Sequence, residues 1–251
     1  MLLGFALVLT RVSGFLLVLP VFGWNGLPLQ VRAALAILLS LFFCTVAPLG
    51  IDPAQVSTLD AVLLLAAEAI YGLALGLVIV LLFSVAQLTG HIIEQQMGMT
   101  MSEIIDPLTG EETGPLANLM GMIFILLFLS ADGHHLFLLI LSKSYSVFPP
   151  GHLPTLDALV GGVIEAGSVM FVACLRLAAP LLGAFLVLMV TLALLARLIP
   201  EMDIFFVSTP VLVATGLFLT ALFMPFLGGF VGEMADWMAK LRDGAMPAAG
   251  T

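Results

Sequence analysis

Long apolar runs fill most of this 251-residue chain, and short stretches rich in Gly, Pro or charged residues separate them. A helix that crosses a membrane needs about 20 consecutive apolar residues, and six runs reach or approach that length. The six runs are Leu2–Phe22, Ala33–Pro48, Ala61–Leu88, Leu116–Leu141, Ser168–Ile199 and Ile204–Val231. Because the runs do not alternate between apolar and polar residues, they predict an all-α integral membrane protein.

The third, fifth and sixth runs are longer than one simple crossing of about 30 Å at about 1.5 Å per residue. Pro180 lies in the fifth run, and Pro210 and Pro225 lie in the sixth. Each proline removes one helical hydrogen bond and crowds the preceding turn. We therefore expect long helices that tilt, kink or break, as helices packed in an assembly do. We also expect a separate short helix at Thr155–Glu165.

The composition supports the membrane assignment, since 62% of the residues are hydrophobic and only 9% are charged. Globular chains carry about 25% charged residues, so this chain cannot cover a water-facing surface and must contact membrane lipid or other protein. A net charge of −9 argues against a nucleic acid partner, whose phosphates require a basic surface. Cys44 and Cys174 lie inside apolar runs and are expected to be buried small side chains.

The segment Ile92–Pro115, with the sequence IIEQQMGMTMSEIIDPLTGEETGP, interrupts the apolar pattern. It contains acidic residues but no Lys or Arg, so it must face water or the interior of a protein. Asp106-Pro107 favours the start of a turn, and Gly110 and Gly114 permit positive φ angles. The segment is therefore predicted to be a turn-rich loop.

Three methionines precede the turns of this segment, and they recur with a spacing of two. Met97, Met99 and Met101 would lie on one side of an extended stretch. Methionine adapts its shape to its surroundings. The three side chains are therefore either ordinary core filler or the compliant lining of a conduit.

Ionisable side chains inside apolar runs are costly to bury and therefore informative. They are Arg11, Glu68, Asp132, His134, His135 and Arg176. Such residues form either a proton or ion relay in a transporter, or pairs that fix the register of packed helices and partner subunits. The packing interpretation is favoured, because the residues are scattered and form no recognisable pair of carboxylates.

The sequence SADGHH, which includes Asp132, His134 and His135, invites a metal interpretation. Adjacent histidines on a helix point about 100° apart, and metal-binding histidines favour a spacing of four. We expect Asp132, Gly133 and His134 to cap a helix break instead, and His91 with Glu94 to be a lone pair of side chains. The chain also lacks nucleotide-binding and hydrolase motifs, so we expect no metal, no cofactor and no enzymatic activity.

Three segments contain short motifs in a fixed order. They are TRVSGFLLVLPVFGWNGLPLQVRAALAILLS, QQMGMTMSEIIDPLTGEETGPLANLMGMIFILLFLSADGHHLFL and ARLIPEMDIFFVSTPVLVATGLFL. Their A-R-x-x-G-like, P-x-F-G-like, P-x-x-V-R, Q-M-G, D-P and N-G-H-H-like elements resemble the FliR/SctT family of type III export-gate proteins. The resemblance extends over approximately Leu7–Phe226. Asp132 and Asp203 stand where the family usually has Asn.

The resemblance implies a non-enzymatic core subunit of the flagellar export gate in the bacterial inner membrane, within the flagellar basal body. It implies long, kinked or broken helices in a helical multi-subunit assembly, with a FliP-like part over 1–150 and a FliQ-like part over 151–251. The implied partners are FliP-like and FliQ-like gate subunits, FlhB and FlhA, and unfolded export substrates.

The resemblance also implies a pore plug in the mid-chain loop, over about 92–115. The plug residues are Asp106, Pro107, Leu108, Thr109, Gly110, Glu111, Glu112, Thr113 and Gly114. Met97, Met99 and Met101 would form a pore gasket beside the plug. The residues assigned to packing and partner register are Arg11, Arg32, Glu68, Asp132, His134 and Arg176.

Two alternatives stay open at this point. One is the injectisome version of the same gate, which would export virulence effectors. The other is an ion-coupled secondary transporter that uses Asp132, Glu68 and Arg176.

Overall fold

The computed structural model describes residues 2–20, 28–46, 57–99, 114–151, 156–199 and 204–242. Within these residues the chain forms seven α-helices and no strand. They are α1 (Leu2–Val18), α2 (Leu29–Val46), α3 (Thr58–Met97), α4 (Pro115–Ser130), α5 (Gly133–Val147), α6 (Leu156–Leu198) and α7 (Ile204–Arg242). The predicted all-α fold class is confirmed.

Three of the described helices are long and apolar enough to cross a membrane, over Thr58–Met97, Leu159–Leu198 and Ser208–Met238. The pair α4 and α5 is a fourth candidate, bent by 76° at its break. In contrast, α1 has 17 residues and α2 has 18, which falls short of the roughly 20 residues of a full crossing. The predicted helical type is confirmed for the first two runs, but their bounds differ: α1 ends at Val18, before the predicted Phe22, whereas α2 begins at Leu29, before the predicted Ala33.

The long helices continue through their prolines. Pro180 lies inside α6, and Pro210 and Pro225 lie inside α7. A break at these prolines, which was one of the expected outcomes, does not occur, because one missing hydrogen bond leaves the rest of a long helical ladder intact. The separate helix predicted at Thr155–Glu165 is also wrong, since residues from Leu156 onward form the first turns of α6.

A helix break lies within the fourth apolar run, between the end of α4 at Ser130 and the start of α5 at Gly133. Asp132 adopts a left-handed conformation with φ 56° and ψ 22°, which Asp tolerates better than most residues. A Cβ at Gly133 would overlap the ring of Phe128, so the corner leaves no room there for a side chain. The helix break predicted at Asp132–His134 is confirmed, although the Asp132 side chain makes no capping hydrogen bond to α5.

The chain divides into two compact units. Unit 1 contains residues 1–82, 128–168 and 233–251, and unit 2 contains residues 83–127 and 169–232. The long helices α3, α6 and α7 each contribute residues to both units. The predicted likeness of 1–150 and 151–251 to two other gate subunits is a separate matter and stays a prediction.

In unit 1, glycines let α1 and α3 approach each other at the level of their backbones. A Cβ at Gly72 would overlap the backbone carbonyl of Arg11, and one at Gly76 would lie 3.0 Å from the carbonyl oxygen of Phe15. From the other side, a Cβ at Gly14 would lie 3.1 Å from the carbonyl oxygen of Ala69. Gly72 and Gly76 form the G-x-x-x-G spacing that permits close packing of membrane helices.

Replacing Gly72 with Ala should therefore destabilise the protein by roughly 1–3 kcal/mol, because α1 must move away from α3. The measurement is the midpoint of thermal unfolding of the purified protein in detergent. The matched control is Gly161→Ala in α6, where an added Cβ meets no atom within 4 Å. Equal midpoints for the two variants would contradict the close approach.

Candidate functional site

A buried ion pair joins α1 and α3 in unit 1. The Nε atom of Arg11 donates to Oε2 of Glu68 at 2.5 Å, and the two side chains are only 1% and 3% exposed. The pair forms where the helices are closest, since Glu68 lies one helical turn before Gly72 and Gly72 contacts the backbone of Arg11. The close approach of the helices thus places the carboxylate beside the guanidinium.

The remaining hydrogen-bonding capacity of the pair is directed at α5 and the turn that follows it. The Nη1 atom of Arg11 donates to Oγ of Ser144 at 3.3 Å and to the carbonyl oxygen of Phe148 at 3.0 Å. The other carboxylate oxygen of Glu68 accepts from the backbone N–H of Gly151 at 3.1 Å. Two buried charges therefore connect three helices and one turn.

Two tyrosine rings enclose the guanidinium of Arg11. Its central carbon lies 4.7 Å from the ring centre of Tyr71 and 4.5 Å from that of Tyr145, within the range of cation–π attraction. The hydroxyl of Tyr145 donates to the carbonyl oxygen of Val8 at 3.3 Å, and the Tyr71 ring packs against Phe148. The two rings cover the charge with apolar surface. Because Tyr71 belongs to α3 and Tyr145 to α5, these contacts also hold both helices against Arg11.

The other ionisable residues singled out from the sequence are more exposed than Arg11 and Glu68. Arg176 is exposed on α6, Arg32 on α2 is half-buried, and Asp132 is 80% exposed. Arg11 and Glu68 contact each other, as the packing interpretation requires of them. The role of the whole set in the register of partner subunits stays a prediction.

At the corner before α5, Asp132, His134 and His135 lie close together. The two imidazole rings lie 4.2 Å apart between centroids, closer than the separation of about 100° between adjacent positions on a helix suggested. One ligand atom from each residue lies within 4.8 Å of the others, so these residues could approach a metal ion. Atoms that share one zinc ion at about 2.0–2.2 Å must come closer than this. The absence of a metal stays an expectation.

A second buried acid, Glu94, lies in the last turn of α3 in unit 2 and is 0% exposed. Its Oε1 atom accepts the backbone N–H of Leu116 at 2.5 Å and that of Ala117 at 3.2 Å. These N–H groups belong to the first turn of α4, where they have no partner within the helix and where the helix dipole favours negative charge. Glu94 therefore caps α4 from a different helix.

Glycine again makes this approach possible. A Cβ at Gly114 would overlap the carboxylate of Glu94, and one at Gly90 would lie 2.6 Å from the Cα atom of Ala117. The imidazole of His91 is a more distant neighbour of the acid, with Nδ1 3.9 Å from Oε2 of Glu94. The contact between His91 and Glu94, which their spacing predicts, is therefore longer than the two hydrogen bonds that Glu94 accepts.

The predicted plug and gasket fall only partly within the described residues. Gly114 is described, whereas 106–113 and Met101 lie outside the described residues. The extended geometry predicted for the methionines is wrong at Met97, because α3 continues to that residue. Helix also occupies the first part of the predicted loop, since α3 continues from Ile92 to Met97.

Met97 is fully enclosed by the apolar core of unit 2. The core contains Ile93, Met97, Leu116, Met120, Leu181, Phe185 and Leu227, and Met99 packs against it. A Cβ at Gly216 would lie 2.5 Å from the sulfur of Met97, so this methionine fills the space above a glycine of α7. The role of the methionines as a pore gasket stays a prediction.

The fold and these sites define a class of protein: an all-α membrane protein whose long apolar helices are fastened by a few buried charges. The chain belongs to the family of bacterial export proteins, family 1, which matches residues 2–238.

Individual relatives agree with this membership. The flagellar biosynthetic protein FliR of Escherichia coli (strain K12) is 29% identical over 222 residues, covering 88% of this chain and 84% of the relative. The protein of the same name from Caulobacter vibrioides is 28% identical over 243 residues, covering 95% and 94%. The surface presentation of antigens protein SpaR of Salmonella typhimurium is 32% identical over 146 residues, covering 57% and 54%.

Replacing Arg11 with Met should destabilise the protein by roughly 3–5 kcal/mol, because Glu68 is left as a buried charge without its cation. The double variant R11M/E68M removes both charges and should lie closer to the parent than either single variant. The measurement is the midpoint of thermal unfolding in detergent.

The matched control for this cycle is Lys143→Met, which removes an exposed cation from α5. Its midpoint should differ little from that of the parent. Additive losses in the double variant would contradict the pairing of Arg11 with Glu68.

Proposed function

We infer that this chain is a core subunit of the flagellar type III protein-export gate. The observation that carries this conclusion is the family match over residues 2–238, together with FliR relatives whose similarity covers most of both chains. In this function the chain helps to form and close a pore through which unfolded flagellar proteins cross the bacterial inner membrane.

The distribution of apolar surface supports a subunit that works inside an assembly. In the apolar window of α3, 56% of the residues are buried by the chain itself, whereas the figure is 17% in α6 and in α7. The large exposed side chains on these two helices include Phe171, Leu186 and Leu194 of α6 and Phe206, Phe218 and Phe226 of α7. Such surfaces require cover from lipid or from partner helices.

The proposed partners are FliP-like and FliQ-like gate subunits, with FlhB and FlhA as further contacts within the export apparatus. The proposed location is the inner membrane at the flagellar basal body. The proposed role is non-enzymatic, with the energy for export supplied from outside this chain. Arg11 and Glu68 fit such a role because they are fastened to each other and to backbone groups.

The injectisome gate is the second candidate, and the similarity to SpaR favours it. That similarity covers 57% of this chain, against 95% for the FliR relative of Caulobacter vibrioides. The flagellar assignment is therefore preferred.

Affinity purification of the tagged chain from its own membranes tests the assignment. We expect small FliP-like and FliQ-like membrane proteins to co-purify in a stable complex, and deletion of the gene for this chain to abolish flagella. Co-purification with injectisome counterparts would support the second candidate. A stable, isolated chain that transports ions in liposomes would support the transporter alternative.

We further propose that the segment Asp106–Gly114 acts as the plug of the pore. Deleting Leu108–Thr113 should raise the leak of small ions through the assembled gate, because the segment would no longer obstruct the pore. The measurement is ion conductance across membranes that contain the complex, with the intact complex as reference. Unchanged leak together with unchanged export would contradict the plug assignment.

A further inference from the structure

We propose that Glu94 is a positioning residue of the gate, which fixes the start of α4 against the end of α3, and that a tightly closed pore depends on this contact. The contact itself is seen in the described residues. Only its link to pore closure rests on the proposed function.

The start of α4 lacks the local cap that most helices have. Gly114 precedes the helix and offers no side-chain oxygen, and Pro115 at the first helical position has no N–H to satisfy. The next two N–H groups belong to Leu116 and Ala117, and both donate to Oε1 of Glu94. An N-cap side chain would normally accept from these same positions.

Because the cap comes from another helix, it has a consequence that a local cap lacks. A Ser or Asp at residue 114 would stabilise α4 wherever that helix lay. Glu94 instead stabilises α4 only when its first turn lies against the last turn of α3. The hydrogen bonds therefore specify the position of one helix end relative to another.

The second carboxylate oxygen shows how closely the contact is fitted. Oε2 of Glu94 is buried and has no hydrogen-bond partner among the described residues. It occupies the space that a side chain at Gly114 would fill. An unsatisfied buried oxygen destabilises the folded protein. Glu94 therefore stays at this position despite a cost that an apolar side chain would avoid.

The contact also lies inside the core of unit 2. Leu116, one of the two donor residues, and Ile93, the chain neighbour of the acceptor Glu94, belong to the same apolar cluster as Met97. Met97 lies one turn after Glu94 and packs against Phe185 and Gly216. A displacement of the capped end would thus disturb α3, α4, α6 and α7 together.

A double-mutant cycle on the assembled gate tests the proposal. Glu94→Ala removes both hydrogen bonds and should raise ion leak by about tenfold or more, the factor expected when charge-assisted bonds are lost. Gly114→Ala should raise leak as well, because its methyl group displaces the carboxylate. The double variant E94A/G114A should leak no more than E94A alone, since the displaced group is absent.

Two further variants separate positioning from general damage. Glu94→Gln keeps the shape and one acceptor oxygen but loses the charge, so its leak should lie well below that of E94A. In the E94Q background, G114A should still be harmful because the space is still filled. Gln95→Ala is the matched control, since Gln95 is the exposed neighbour of Glu94. Its leak should equal that of the parent.

Each result decides the proposal when assembly is measured in parallel by co-purification. The proposal would be overturned if the increases in ion leak caused by E94A and G114A multiplied in the double variant. It would also be overturned if the E94A complex assembled and leaked no more than the parent. Should E94A fail to assemble, Glu94→Asp replaces it. The carboxylate of that variant is one methylene shorter, so its leak must exceed that of E94Q.

The failure of this inference can be told from failure of the plug assignment. If deletion of Leu108–Thr113 raises leak while E94A does not, the plug stands and the inference about Glu94 is wrong. If the cycle shows coupling in the thermal midpoint of the complex while neither change alters leak, the contact is real but the link to pore closure is wrong.

Discussion

The organisation of unit 1 depends on one requirement, that a charge inside an apolar chain must be buried together with its partner. Removing Arg11 and Glu68 from water costs several kcal/mol for each ion, and only close geometry with further hydrogen bonds offsets that cost. Here the offset comes from a direct ion pair, a backbone carbonyl, a backbone N–H and two aromatic rings. Since these groups come from α1, α3, α5 and the turn after α5, satisfying the pair also fixes the helices.

Unit 2 meets the same requirement in a different way. Glu94 is as deeply buried as Arg11, but it accepts hydrogen bonds from the backbone N–H groups at the start of α4, where the helix carries a partial positive charge. In both units a glycine allows the contact, Gly72 beside Arg11 and Gly114 beside Glu94. The protein thus uses small residues to bring backbones together and long, buried polar side chains to hold the resulting position.

Apolar runs alone predicted the long helices, because length and hydrophobicity are local properties. The corner at Asp132 was also predictable, from polar residues within an apolar run. The sequence could not show that Glu94 caps a helix start 22 residues away, since its acceptor role depends on tertiary approach. The pair of Arg11 and Glu68 is separated by 57 residues, yet the G-x-x-x-G spacing beginning at Gly72 was a usable signal for the helix contact beside it.

The length of α6 indicates that this chain packs against other protein. The apolar part of α6 covers the 40 residues Leu159–Leu198, which correspond to about 60 Å of helix. To fit this length within about 30 Å of hydrocarbon the helix would have to tilt by about 60°, beyond the 0–40° range of membrane helices. Lipid alone therefore cannot cover the exposed side chains along its whole length, which include Val160 near one end and Leu198 at the other. The remaining apolar surface needs other protein, as a subunit of the proposed export gate would have.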